Sequence, residues 1–144
     1  PAEPTDVAAV VRDVVELERL GRDEIEWRTA GSESPVFALA SEDELREVMI
    51  NLLENARLAH ARHVDMRVMV DGDRVLVDVE DDGHGIAPDV LPRIFEPHFS
   101  TRTSGSGLGL AISRQLLENW GGTIEIASAV GRGAIVRISL RRAK

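Results

Sequence analysis

The chain has 144 residues, 43% of them apolar and 29% charged, which suits one soluble globular domain with a buried core and excludes a disordered chain. A formal net charge of −8 disfavours broad binding to nucleic acid, although one phosphate site needs only local donors. The absence of Cys excludes disulfides and thiolate metal sites, and no apolar run reaches the roughly 18–20 residues that span a bilayer.

Aromatic residues are only 3%, so the core must be built from Val, Leu, Ile and Ala. The lack of Cys is consistent with a reducing, cytoplasmic location. No signal peptide is visible, and the first residue is Pro1 rather than Met, which reads as a piece of a longer protein whose membrane attachment is left open.

Thr5 or Asp6 can cap a first helix running to about Leu20, with Val7, Val10, Val11, Val14 and Leu17 at helical spacing and Gly21 as its stop. Ile25–Thr29 and Val36–Leu39 read as short strands around the turn-rich Ala30–Pro35. Ser41 opens a long helix, with Glu44 completing a capping box, and Leu45, Val48, Met49, Leu52, Leu53 and Ala56 form its apolar face through about Ala61.

Val64–Val70 and Arg74–Glu80 read as antiparallel strands joined by the hairpin signal Asp71-Gly72-Asp73. Pro88–Phe95 reads as a short helix, Pro97–Ser106 as a loop, and Leu108–Trp120 as a helix stopped by Gly121-Gly122. Thr123–Ala127 and Ala134–Leu140 are the final strands, and Arg141–Lys144 reads as a frayed basic end. The order implies an α+β fold, a mixed sheet with helices on one face, in a single domain over 1–144.

Four constellations carry chemistry. Asn51 and Asn55 share a helix face away from much of the Leu/Val stripe, where amide oxygens suit a hard cation such as Mg²⁺. The alternative is a merely solvated polar face. In Val75–Gly85, the inward parity of Val75, Val77 and Val79 continues to Asp81, whose carboxylate then needs a donor such as an adenine amine. Gly83 and Gly85 let backbone pass close to a planar ligand. The alternatives are an ordinary Asp-rich turn or an Asp81/Asp82 metal pair, although parity sets those two on opposite faces.

Gly105-Ser106-Gly107-Leu108-Gly109-Leu110 leads into a helix, where free N–H groups and the helix dipole favour an anion; a flexible linker is the alternative. It matches neither the Walker pattern nor the Rossmann fingerprint. Between these lies Arg93–Arg102, with Phe95 and Phe99 as anchors and Thr101 and Arg102 available to phosphates, or simply a pinned surface loop. His60, His63, His84 and His98 read as incidental polar residues.

Together, and in this order, the four resemble the nucleotide-binding boxes of the superfamily of DNA gyrase, Hsp90-type chaperones, histidine kinases and MutL (the GHKL ATPases). Asn51–Ala56 resembles the N box, Asp81–Ile86 the G1 box, Phe95–Phe99 the F box and Gly105–Leu110 the G2 box. The F box joined to the Gly-Leu-Gly-Leu loop resembles the histidine-kinase branch.

That resemblance implies a Bergerat-type two-layer α/β sandwich that binds ATP and Mg²⁺. Asn55, helped by Asn51, would hold the metal, Asp81 would read the adenine amine, and Gly83, Gly85 and Ile86 would border the base. Gly105, Ser106, Gly107, Leu108, Gly109 and Leu110 would shape the phosphate lid, with Thr101 and Arg102 near the phosphates and Phe95 anchoring it. It implies transfer of the γ-phosphate to a His on a separate helical-hairpin domain, and a response regulator downstream.

The fragment itself would lack the acceptor and be monomeric. Asn51 stands where ATPase relatives carry a Glu general base, which argues against autonomous hydrolysis; Glu54 is off that face, and Glu47, on roughly the same face one turn earlier, is a weaker candidate. An anti-sigma-type serine kinase and an ATPase clamp are the rival branches, and a degenerate, non-catalytic nucleotide sensor is the remaining alternative. Leu58 replaces a phosphate-facing Lys, with Arg57 or Arg62 as substitutes, and Ala134 replaces a hydroxyl residue near the adenine.

Overall fold

Strand geometry and cap chemistry explain where the elements begin and end. The computed structural model describes residues 1–21, 24–96, 110–129 and 131–143. In chain order these hold β1 (Glu3–Asp6), α1 (Val7–Arg19), β2 (Glu26–Ala30), β3 (Phe37–Ala40), α2 (Glu42–Leu58), β4 (His63–Asp71), β5 (Arg74–Asp81), a 3₁₀ turn (Leu91–Arg93), α3 (Ala111–Asn119), β6 (Thr123–Ala129) and β7 (Gly133–Arg141).

Asp6 caps α1 by accepting the Ala9 N–H at 3.3 Å, and Ser41 caps α2 by accepting that of Glu44 at 3.5 Å. At the far end of α2, His60 takes a left-handed φ of 60° while Ala61 N–H reaches back to Ala56 O, the bond that closes a helix with a left-handed residue.

The main sheet has five strands in the order β2-β4-β5-β7-β6, with β2 and β4 parallel and the other neighbours antiparallel. Val64, Met66 and Val68, then Val75, Val77 and Val79, then Val136, Ile138 and Leu140 are buried on one face. There they join Leu45, Met49, Leu52 and Leu53 of α2, the valines of α1 and Leu117 of α3 in one apolar cluster. This is the expected mixed sheet with helices on one side. Among the described residues no helix is long and apolar enough to cross a membrane.

Three expectations change. A short strand, β1, pairs antiparallel with β3 over Glu3–Asp6, where the sequence suggests only a helix cap at Thr5 or Asp6; Thr5 in it is buried and donates to Ala40 O at 3.0 Å. Arg141–Ala143 are not frayed: Arg142 N–H donates to Asp73 O and Ala143 N–H to Phe37 O, both within 2.9 Å, because the β4–β5 hairpin and β3 present carbonyls there. The Pro88–Phe95 helix shrinks to the single 3₁₀ turn, since Pro92 lacks the N–H that would extend it.

The outer face of the sheet is a ladder of alternating charge. Arg67, Asp78, Arg137 and Glu125 follow one another across β4, β5, β7 and β6. Asp78 is 2% exposed, gripped by Arg137 at 2.8 and 2.9 Å, with Arg67 at 3.9 Å. Buried carboxylates cost heavily unless paired this way. Replacing Asp78 with Ala should lower stability by about 1–3 kcal/mol, because Arg137 is half-exposed and regains water; a urea titration checks it, with Asp78→Asn falling between.

Candidate functional site

The inner face of the sheet is not fully covered. A cleft of about 620 Å³, counted with the solvent at its mouth, opens between α2 and the ends of β5, β6 and β7. Leu52, Asn55 and Leu58 line it from α2 and Ala59 from that helix's C-cap, Val79 and Asp81 from β5, and His84, Gly85 and Ile86 from the loop that follows. Leu110, Ile126, Ala134 and Val136 complete it. The walls are apolar with a few convergent polar groups, which is the character of a small-molecule site.

Asp81 stands inside this cleft because the side-chain period of two carries it inward after Val75, Val77 and Val79. Burial raises its carboxyl above the ordinary 3.8, and Asp82 next door adds to the rise. N–H groups of Gly83, at 2.8 Å, and of Ala134 hold the rise back, as does His84. The result is a desolvated carboxylate aimed at an apolar space, a site that favours a ligand donor.

Asp82 points the other way and does a different job. Desolvation opposes its ionisation. Hydrogen bonds from His63 N–H at 2.9 Å, the His63 ring at 2.7 Å and Arg62 N–H at 2.7 Å outweigh it and hold the carboxyl at about 2. It therefore staples the start of β4 to the end of β5 and is no partner of Asp81 in a metal pair. Among the described residues no cluster of His, Asp and Glu is arranged to hold a metal.

Gly83 packs its missing side chain against α2: a Cβ there would meet Ala59 O at 2.6 Å, and His84 N–H donates to that same oxygen at 2.9 Å. Its smallness serves helix–loop contact rather than lining the cleft. Gly85, with φ 76°, does line it, as does Ile86. Asn55 presents a buried Oδ1 that has no hydrogen-bond partner among the described residues, an acceptor on the wall of the cleft. Asn51, one turn earlier, does not line the cleft; its amide donates to the buried Ser113 hydroxyl of α3 at 3.4 Å.

Phe95 is half-buried against the core, with the Arg114 guanidinium over its ring at 5.0 Å. Leu110 N–H donates to Ile94 O at 2.9 Å, joining the two ends of the intervening segment. Phe99, Thr101, Arg102, Gly105, Ser106, Gly107, Leu108 and Gly109 lie outside the described residues.

Of the substitutes for a phosphate-facing Lys, Arg57 is engaged with Glu18 at 2.8 Å, Glu54 at 3.2 Å and the Trp27 ring. This also occupies Glu54. Leu58 itself is an apolar wall of the cleft.

Two residues near the site were not singled out from sequence. His84, set aside as incidental, is fixed at the cleft wall by its Nδ1–Gly85 O contact of 2.8 Å; its position between Gly83 and Gly85 was the available signal. Ser128 sits opposite Ala134 across β6 and β7 and supplies a hydroxyl beside it. Only the strand register reveals that.

The profile of the family described as "Histidine kinase-, DNA gyrase B-, and HSP90-like ATPase" matches residues 40–144. Sensor histidine kinase ZraS of Salmonella typhi is 37% identical over 149 residues, covering 97% of this chain and 32% of that protein; the chain thus spans about a third of that relative. The catalytic domain of histidine kinase ThkA shares the fold, with a TM-score of 0.86 at 24% identity over 99% of this chain and 96% of that one. Full-length ShkA in complex with AMPPNP aligns with a TM-score of 0.78 at 34% identity, over 99% of this chain and 31% of that one.

The raised Asp81 carboxyl fixes the sign of a pH effect. As pH climbs from 3.8 through the higher folded value, the folded chain keeps a proton that the unfolded chain has released, so stability falls across that window. Asp81→Asn keeps an acceptor for Gly83 N–H and removes the titration. Its melting temperature at neutral pH should equal or exceed that of the parent, with a shallower decline above pH 3.8 in a thermal-melt series.

Proposed function

The chain belongs to the family of histidine kinase-, DNA gyrase B- and HSP90-like ATPases, and from that premise we propose that it binds Mg-ATP and presents the γ-phosphate to a His on a separate helical domain. The observation that carries the reading is the Asp81 carboxylate in an apolar cleft, where the adenine exocyclic amine is the donor it lacks. Ile86, Ile126, Ala134 and Val136 suit the faces of a flat base, and Leu52 and Leu58 border it from α2. On this reading, Gly85 lets the loop approach the base closely, and Gly105–Leu110, Thr101 and Arg102 close over the phosphates.

The metal fits the donor set. Asn55 Oδ1 is a buried oxygen with no partner among the described residues, and Mg²⁺ takes oxygen ligands while keeping waters and phosphate oxygens. When bound, the ion would neutralise charge on the phosphates. Asn51 stands by as a helper on the same helix face, tied to α3 through Ser113. The protein's part is then positioning: Asp81 orients the base, Asn55 orients the phosphates, and Asn51, an amide, is no base for water.

The kinship with sensor histidine kinases such as ZraS supports a phosphoacceptor hairpin and a response regulator as partners. We take residues 1–144 as one ATP-binding unit, monomeric by itself, working inside the cell as part of a larger kinase.

Isothermal titration with AMPPNP tests the cleft. Asp81→Asn should raise Kd about 10–150-fold, the worth of one hydrogen bond to a charged group, with the fold intact by circular dichroism; unchanged affinity would overturn the adenine assignment. Asn55→Ala should abolish the gain in affinity that Mg²⁺ confers and spare metal-free binding; equal loss in both conditions rules out the metal role. Incubating the parent protein with γ-labelled ATP separates the chemistries. Acid-labile, base-stable label establishes transfer to His, acid-stable label a serine kinase, and phosphate release without protein label an ATPase.

A further inference from the structure

The wall of the cleft that faces the base is built from two segments far apart in sequence, the loop after β5 and the β6–β7 hairpin. Their seam is closed by a short set of bonds. Gly131 N–H donates to His84 O at 2.8 Å. The Ser128 hydroxyl accepts Ile86 N–H at 2.7 Å and itself donates to Gly133 O at 2.9 Å. Among the described residues Ser128 supplies the side-chain link in this seam, and it uses its donor and one acceptor site at once.

The seam is tight as well as bonded. Gly133 has φ 82° and presses on β5 so closely that a Cβ there would sit 2.0 Å from Asp81 O. Ile86, whose N–H is spent on Ser128, is 6% exposed. Ser128 does not line the cleft, while Ala134, its partner in the strand register, does. The hydroxyl therefore acts on the cleft through backbone, by setting how far Gly85–Ile86 stands from the Ala134 strand.

We infer that Ser128 is a positioning residue for the nucleotide, its single hydroxyl clamping the Ile86 loop to the Gly133 turn so that the slot for the base is preformed. The inference rests on the ATP reading of the cleft. Without the hydroxyl, a buried N–H and a carbonyl lose their partner, the loop relaxes toward water, and binding must reorder it. The effect belongs to the base end of the site, so it is independent of the phosphates.

The experiment titrates AMPPNP and adenosine into the parent domain and its Ser128→Ala, Ser128→Thr and Ser128→Cys variants, each well below its melting temperature. Ser128→Ala should weaken both ligands by the same factor of about 5–30, the worth of a hydrogen bond whose loss strands a buried partner. Ser128→Thr keeps the hydroxyl on a strand-favouring side chain and should bind within about twofold of the parent. Ser128→Cys fills the space with a weaker hydrogen-bonding group and should fall between, which gives the answer even where Ser128→Ala proves too unstable to titrate. Amide exchange at Ile86 should quicken in Ser128→Ala. A lower melting temperature with unchanged affinity for both ligands would reduce the residue to a structural role and overturn the inference, as would a loss confined to AMPPNP. If the unaltered domain binds neither ligand, it is the ATP reading that fails, and the clamp falls with it.

Discussion

A carboxylate at the end of an apolar strand is the constraint around which this molecule is arranged. The alternation of β5 sends Asp81 to the same side as three buried valines, where ionisation is disfavoured by loss of water. Two backbone N–H groups partly offset that cost, and each comes from a segment that must be held close: the Gly83 turn and the start of β7. Both approaches require glycine, because Gly83 lies against Ala59 of α2 and Gly133 against the carbonyl of Asp81 itself. The cleft is thus assembled by the elements needed to keep one carboxylate inside.

The neighbouring carboxylate shows how strongly environment rather than residue type decides behaviour. Asp81 and Asp82 are adjacent in sequence yet shifted in opposite directions. The first is poorly supplied with donors and faces a space. The second takes three hydrogen bonds from Arg62 and His63 and closes a strand junction. Asp78, on the charged outer face, is satisfied by arginines instead. Three aspartates within one strand end therefore divide between structure and site by the partners each finds.

The same contrast holds for the two asparagines of α2. Asn51 is drawn into the contact between helices through Ser113, whereas Asn55 keeps in the cleft wall a buried oxygen without a partner among the described residues. An acceptor without a partner among the described residues and a desolvated carboxylate both line one apolar cleft and leave polar work there for a ligand. Membership in the family of histidine kinase-, DNA gyrase B- and HSP90-like ATPases is consistent with that division.

Sequence by itself determined the helices α1 and α2, the β4–β5 hairpin and the inward parity of Asp81, because caps, turn residues and periods of 2 and 3.6 act over a few neighbouring residues. Motif order was equally legible, since the boxes are local strings. Tertiary structure alone decided what depends on distant partners. Glu3–Asp6 became a strand only because β3 lay beside it, and the basic tail was fixed only because β3 and the β4–β5 hairpin offered carbonyls. Gly83 turned toward α2, Arg57 was drawn to Glu18 and Trp27, and Ser128 met Ile86 across more than forty residues of chain. No local pattern encodes such meetings; they follow from strand register and helix packing, which bring together groups that the sequence keeps apart.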